Sequence, residues 1–417
     1  MKIQPLSQFN TTSFNAGKTT VFTDFDGSYM PFKHHDVCNS ELFSHFKQRD
    51  SFNKIFQGYA NFLQKAQQDI EFIITTGRSK PEYDYFIDKV KELGLFYQSP
   101  SRLITRDGND YYCFQNGEFL INEARQQNIE QQTNWNKQKI ENDLKKILQN
   151  SFRNICIVNT PINKNKFDYE DQSLEHRLEF LTNKEKMHYA SFTNGDNLFI
   201  EIALNENFDI AKIYQVIDKY IKENNIKAKV NMYNEERSTY LPQYEESGSC
   251  KLKPGKLIRI SPLFNNESIT KLNDVKKELE FNIKNRTDDL VVVVGDAGND
   301  EVMLNPLNYL SIYGYNKEPD YNKILSDNEA LELIAQMPFA AIIVGEDKSL
   351  DNLRKLGLEL EQKGIKKIYT YRNQLNGFLP QLKRAISDYG KQNEEFKYSM
   401  NTQLFKEVLS GGDSYDY

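Results

Sequence analysis

Thr19-Thr-Val-Phe-Thr-Asp24-Phe-Asp26-Gly27-Ser28 carries a short apolar run into two carboxylates one residue apart and then into a glycine. Val21 and Phe22 read as part of a buried strand that Gly27 ends. Alternate side chains of a strand share a side, so Asp24 and Asp26 lie together at its carboxyl end, where open α/β sheets place ligands. Two such carboxylates repel unless a cation or a shared proton sits between them. One can attack while the other moves protons, and a hard divalent metal can lower the charge of both. Alone, Asp-x-Asp-Gly also occurs in plain turns and in fragments of calcium loops.

A second stretch repeats the pattern. Leu290-Val-Val-Val-Val294 is apolar and β-branched, and it feeds Gly295-Asp296-Ala-Gly298-Asn299-Asp300 and a helix-like Glu301-Val-Met-Leu304. Asp296 at the strand exit is placed to bind a metal, and Asp300, one turn later, could orient Asp296 or a metal-bound water. Helix capping by Asp296 or Asn299 accounts for one polar residue here, not for both acids and both glycines. In Phe72-Ile-Ile-Thr-Thr76-Gly77-Arg78, Thr76 and the adjacent N–H groups can hydrogen-bond a phosphate oxygen at a helix N-terminus; Thr76 can equally serve as a plain N-cap. Lys271, in Ser268-Ile-Thr-Lys271, opens a helix to about Lys284 and is suited to neutralising a carboxylate and a phosphate together. Lys253 and Lys256 compete for that role.

In order, Asp24-Phe-Asp26-Gly-Ser28, Thr76-Gly-Arg78, Lys271 and Gly295-Asp296-Ala-Gly-Asn299-Asp300 resemble the four motifs of the haloacid dehalogenase-like (HAD) phosphohydrolases. The likeness is to subclass IIB, with its C2-type cap between the threonine and lysine motifs, and most to the sucrose-phosphate phosphatase and Cof-type sugar phosphatase group. Ser28 stands where that family usually has Thr.

The resemblance implies an α/β fold: a doubly wound, parallel-sheet core with a smaller α/β cap inserted. It implies a phosphatase acting on a sugar phosphate or similar small polar ester through an aspartyl-phosphate. Asp24 would be the nucleophile, Asp26 the acid and base, and Thr76, Gly77 and Lys271 the phosphate binders. Mg2+ would be held by Asp24, Asp26 (through its carbonyl) and Asp296, with Asp300 and Asn299 behind them. A phosphotransferase or mutase with the same intermediate, or a binding or effector module that kept the fold, are the alternatives.

Spacing supports the insertion independently. About 200 residues separate Thr76 from Lys271, where one βα unit needs roughly 30. The expected division is 1–118 and 257–392 for the two parts of the core, 119–256 for the cap and 393–417 for a tail. A length of 417 residues suits two or three domains.

Within the cap, strands are expected at 154–158, 177–181, 198–203 and 228–232, with helices at 134–149 and 208–224. Residues 240–254 read as a loop returning to the core, and 257–261 as a strand entering its second part. In that part, 309–313, 340–344 and 367–370 read as strands and 378–389 as a closing helix.

Composition points to a soluble, cytoplasmic protein. Hydrophobic residues make up 39% and aromatics 12%, enough for a sizeable core, yet no apolar run approaches a membrane span. The N-terminus lacks a signal-peptide h-region. Four scattered cysteines suggest neither a zinc site nor a disulfide framework. A net charge of −6 argues against a nucleic-acid partner, and the oligomeric state is open.

Overall fold

The computed structural model describes the chain except residues 1–18, 34–36, 38–44, 46–47, 68, 79, 96, 153–154, 161–187, 194–198, 205–208, 245–249, 265–266, 286–288, 322, 373–376 and 393–417. The expected strand at 177–181, the tail, and His34, His35 and His176 lie outside the described residues.

Eight strands form the larger sheet: β1 (Thr19–Thr23), β2 (Ile70–Thr75), β3 (Arg102–Thr105), β4 (Asp110–Gln115), β5 (Glu118–Ile121), and, after the second sheet, β12 (Leu290–Gly295), β13 (Phe339–Val344) and β14 (Ile368–Tyr371). Their order is β14-β13-β12-β1-β2-β3-β4-β5. Pairing is parallel from β14 through β3 and antiparallel from β3 to β5. The chain starts in the middle at β1, winds outward through β2 and β3, returns to β1's other side at β12, and winds outward again. The switch point therefore falls between β1 and β12, which carry the two acidic turns. Crevices for ligands open at such points.

The inner strands are buried on both faces, hence their unbroken apolar runs. Val21, Val292, Val294 and Ile342 face a layer built by the helices Asp50–Ala66, Lys80–Glu92 and Leu379–Gln392. Phe22, Val291, Val293 and Ile343 face the helices Lys271–Asn285, Asn328–Gln336 and Asp351–Gln362. The core is thus a doubly wound α/β sandwich.

The second sheet comprises β6 (Ile155–Thr160), β7 (His188–Thr193), β8 (Ile200–Leu204), β9 (Ala228–Tyr244), β10 (Cys250–Phe264) and β11 (Glu267–Ser268). Helices Glu123–Thr133, Lys137–Ser151 and Ile210–Glu223 cover it, and Trp135, Leu144, Phe192, Ile202, Ile217 and Ile258 share its core.

Three expectations change. Residues 240–244 and 250–254 are not loop: β9 and β10 pair antiparallel from Ala228↔Pro262 out to Tyr244↔Cys250, with a bulge at Pro254/Gly255. Pro254, Gly255 and a largely polar sequence hide that hairpin from a periodicity reading. Leu257–Ser261 does not enter the core sheet but pairs with β8 and β9 in the second sheet. Tyr309–Tyr313 is not a strand but the end of a 3-10 helix, Pro306–Tyr313. Proline at its start, an Asn305 side-chain cap and left-handed Gly314 (φ 85°) make that helix, and a short apolar run looks the same either way.

Candidate active site

Asp24 leaves β1 with its N–H donating to Val294 O at 2.9 Å, so the first acidic turn is bonded to the strand that carries the second. Tyr29 N–H returns to Asp24 O at 3.0 Å and Gly27 N–H to Phe32 O at 3.0 Å, closing the turn. Gly27 has φ 77°, and a Cβ there would lie 2.5 Å from Asp296 Oδ2. Only glycine permits both the left-handed turn and this close approach.

On the other turn, both Asp300 oxygens are occupied. Oδ2 accepts the N–H groups of Asp296 (3.1 Å) and Ala297 (3.2 Å), and Oδ1 accepts Lys271 Nζ at 2.6 Å. Asp300, rather than Asp296 or Asn299, caps this turn, and Asn299 is exposed. A Cβ on Gly295 would lie 2.5 Å from Asp300 Cβ, so that glycine lets the fold-back happen.

Lys271 begins a helix whose first turn is closed reciprocally. Thr270 Oγ1 accepts Leu272 N–H (3.3 Å), and the Asn273 side chain accepts Thr270 N–H (2.6 Å). Its side chain is 1% exposed, and its ammonium donates to Asp24 Oδ1 at 2.7 Å as well as to Asp300. Lys253 and Lys256 lie on β10 of the second sheet instead.

Thr76 is buried. Its Oγ1 accepts Arg78 N–H at 3.2 Å, and its own N–H donates to Ile104 O at 2.9 Å. The Gly77 N–H makes no hydrogen bond with the described residues.

Two cations join the site without a spacing signal in the sequence. Arg78 Nε donates to Asp26 Oδ2 in a tight ion pair, which leaves Asp26 Oδ1 buried and unpartnered among the described residues. Lys33 Nζ lies 3.1 Å from Asp296 Oδ2. Arg78 could have been suspected from its place in the second motif; Lys33 comes after the first turn with no pattern around it.

The acids feel too little positive charge. Burial is the largest influence on Asp24, Asp296 and Asp300. It raises all three, and nearby carboxylates add to it, against the pull of Lys271 or Lys33. Asp296 is pushed up to about 6 and Asp300 to about 7. Burial works against the Lys271 charge, but Asp24 and Asp300 more than offset it, so it stays an ammonium.

Oxygens of Asp24, Asp296 and Asp300 lie within 4.8 Å of one another, all buried. Buried hard oxygens raised by mutual repulsion are what a divalent cation fits. With both Asp300 oxygens engaged, Asp24 and Asp296 are the carboxylates with atoms to spare for it, and Asp300 holds the loop and the lysine.

No family model matches the chain, and no curated protein matches it in sequence. Solved structures similar to it include the sucrose-phosphatase of Synechocystis sp. PCC6803 in complex with sucrose and phosphate. That match has 13% identity and a TM-score of 0.38, covering 89% of this chain and 98% of that one. A haloacid dehalogenase-like hydrolase protein of Bacillus subtilis matches at 13% identity, TM-score 0.39, over 92% and 95%. Another such hydrolase, from Bacteroides thetaiotaomicron, matches at 12%, TM-score 0.38, over 88% and 99%. These likenesses are distant, and the chemistry of the site rests on its side chains.

Proposed function

We propose that this chain is a magnesium-dependent phosphomonoesterase of the HAD type, hydrolysing a sugar phosphate or similar small polar ester through an aspartyl-phosphate. The observation that carries the proposal is Lys271, buried between Asp24 and Asp300, at the switch point where Asp26, Asp296 and the Thr76–Arg78 turn converge.

Asp24 attacks phosphorus through its carboxylate, while Lys271, bound at Oδ1, offsets the charge. The ester P–O bond breaks as the Asp24 O–P bond forms. Asp26 passes a proton to the departing oxygen, with Arg78 fixing its carboxyl group through Oδ2. Asp26 then takes a proton from water, which displaces the Asp24 carboxylate from phosphorus and releases phosphate. Thr76 Oγ1, the Gly77 N–H and Lys271 face the transferring phosphoryl oxygens. Mg2+ held by Asp24, Asp296 and the Asp26 carbonyl would neutralise charge on the phosphate and on the attacking carboxylate.

The test is phosphate release from a panel of sucrose-, trehalose-, hexose- and nucleoside-phosphates, with and without magnesium, with Asp24→Asn as control. Release from one or two sugar phosphates is expected. Absence of release from the whole panel, by a folded protein, refutes the proposal.

A further inference from the structure

Next to the acidic turns, four charged residues bridge the two sheets. Arg106 and Asp107 lie between β3 and β4 of the core; Glu201 lies on β8 and Arg259 on β10 of the second sheet, directly opposite each other in register. The pairing is crossed. Arg106 Nη1 is 3.3 Å from Glu201 Oε2, and Arg259 Nη1 is 3.2 Å from Asp107 Oδ2. Arg259 also donates to Glu201 Oε1 from Nε (2.9 Å) and Nη2 (2.7 Å). Both guanidinium groups lie over the Phe199 ring, 5.1 and 5.2 Å from its centre.

The core half of this cluster is built into the phosphate turn. Arg106 N–H donates to Arg78 O at 2.9 Å and Asp107 N–H to Thr76 O at 3.0 Å. The Asp107 carboxylate packs on Gly77, where a Cβ would lie 3.2 Å from Oδ1. Arg106 (φ 52°) and Asp107 (φ 56°) are consecutive left-handed residues, a conformation non-glycine residues seldom adopt. Such backbone persists where its surroundings hold it. Across the seam, Glu201 and Arg259 pair with the side chains of both residues.

Buried ion pairs are weak evidence for stability, and their best-attested use is to fix one arrangement over others. We infer that Glu201 and Arg259 are positioning residues: through Arg106 and Asp107 they set the geometry of the Thr76–Gly77–Arg78 turn for binding phosphate. The inference rests on the phosphatase proposal and adds to it a second-sheet contribution that no motif contains.

Calorimetric titration of the intact chain with inorganic phosphate, in the presence of magnesium, tests it. Loss of the heat in Lys271→Ala marks the titrated site as the catalytic one. Glu201→Gln and Arg259→Gln are expected to bind phosphate ~10-fold more weakly at unchanged stoichiometry, the usual scale for outer partners of a site. Arg259→Lys, which keeps the charge and loses the fork, falls between. Glu71→Gln, which breaks the Glu71–Arg102 pair (2.7 Å) away from the turn, keeps the wild-type affinity.

Glu201→Gln and Arg259→Gln proteins that bind as tightly as wild type, with only stoichiometry or melting temperature reduced, would make the cluster a fastener and overturn the inference alone. No Lys271-dependent phosphate heat in the wild type would remove the phosphatase proposal and this inference together.

Discussion

The two charged clusters on this face of the core treat buried carboxylates in opposite ways. Burial pushes up Asp24, Asp296 and Asp300 at the β1/β12 turns, and their neighbours of like charge reinforce it. Glu201 at the seam is equally buried, yet Arg106 and Arg259 pull it below the usual carboxylate range. The seam closes its own charge balance, which suits a fixed contact. The acid turns leave theirs open, which suits a site completed by a cation and a phosphate.

The largest test of that contrast is Asp24→Asn. Turnover is expected to fall about 10^4-fold or more, the scale for losing a nucleophile. The metal-free protein should at the same time unfold at higher temperature, because one buried repulsive charge is gone. Retained phosphate release would break the assignment of Asp24.

Glu201→Gln should do the reverse to stability. It leaves buried guanidinium groups short of a partner and is expected to cost about 3 kcal/mol, read as a lower urea midpoint at unchanged slope. A stability rise in Glu201→Gln would erase the distinction between the clusters.

Magnesium sharpens the same contrast. At a concentration 100 times its Kd it should stabilise the wild type by about 2.7 kcal/mol and stabilise Asp296→Ala much less. EDTA should stop turnover and magnesium restore it.

A smaller effect is expected at a third place. Lys367, buried beside β14, donates to Met337 O at 2.6 Å, and burial lowers it to about 8. The unfolded chain then binds more protons between pH 8 and about 10.5, so stability rises with pH across that window. Lys367→Met should flatten that rise and add about 1 kcal/mol at neutral pH, net of the lost hydrogen bond. An unchanged pH profile would contradict the assignment.

The acid turns were readable in the sequence because a doubly buried parallel strand is an unbroken apolar run, and polar residues at its carboxyl end stand out against it. Leu290–Val294 and the run into Asp24 show this, and the helix opened by Lys271 was legible from its position ahead of the second turn. Lys33 and the charge seam were not legible. Arg106, Glu201 and Arg259 are far apart in the chain, and each looks like an ordinary surface charge until β8 and β10 bring them together. The β9–β10 hairpin was lost for a related reason: its pairing is long-range, while Pro254 and Gly255 are local signals for a loop. Tyr309–Tyr313 failed through length, since five mostly apolar residues fit a strand or a buried helical turn.

The most direct measurement of the central claim is acid quenching of the protein during turnover of a sugar phosphate with magnesium, then peptide mass spectrometry. The account predicts a phosphoryl group on the peptide carrying Asp24, absent in Asp24→Asn and prolonged in Asp26→Ala. Steady phosphate release with no phosphorylated Asp24, or with the phosphoryl group on another residue, would contradict it.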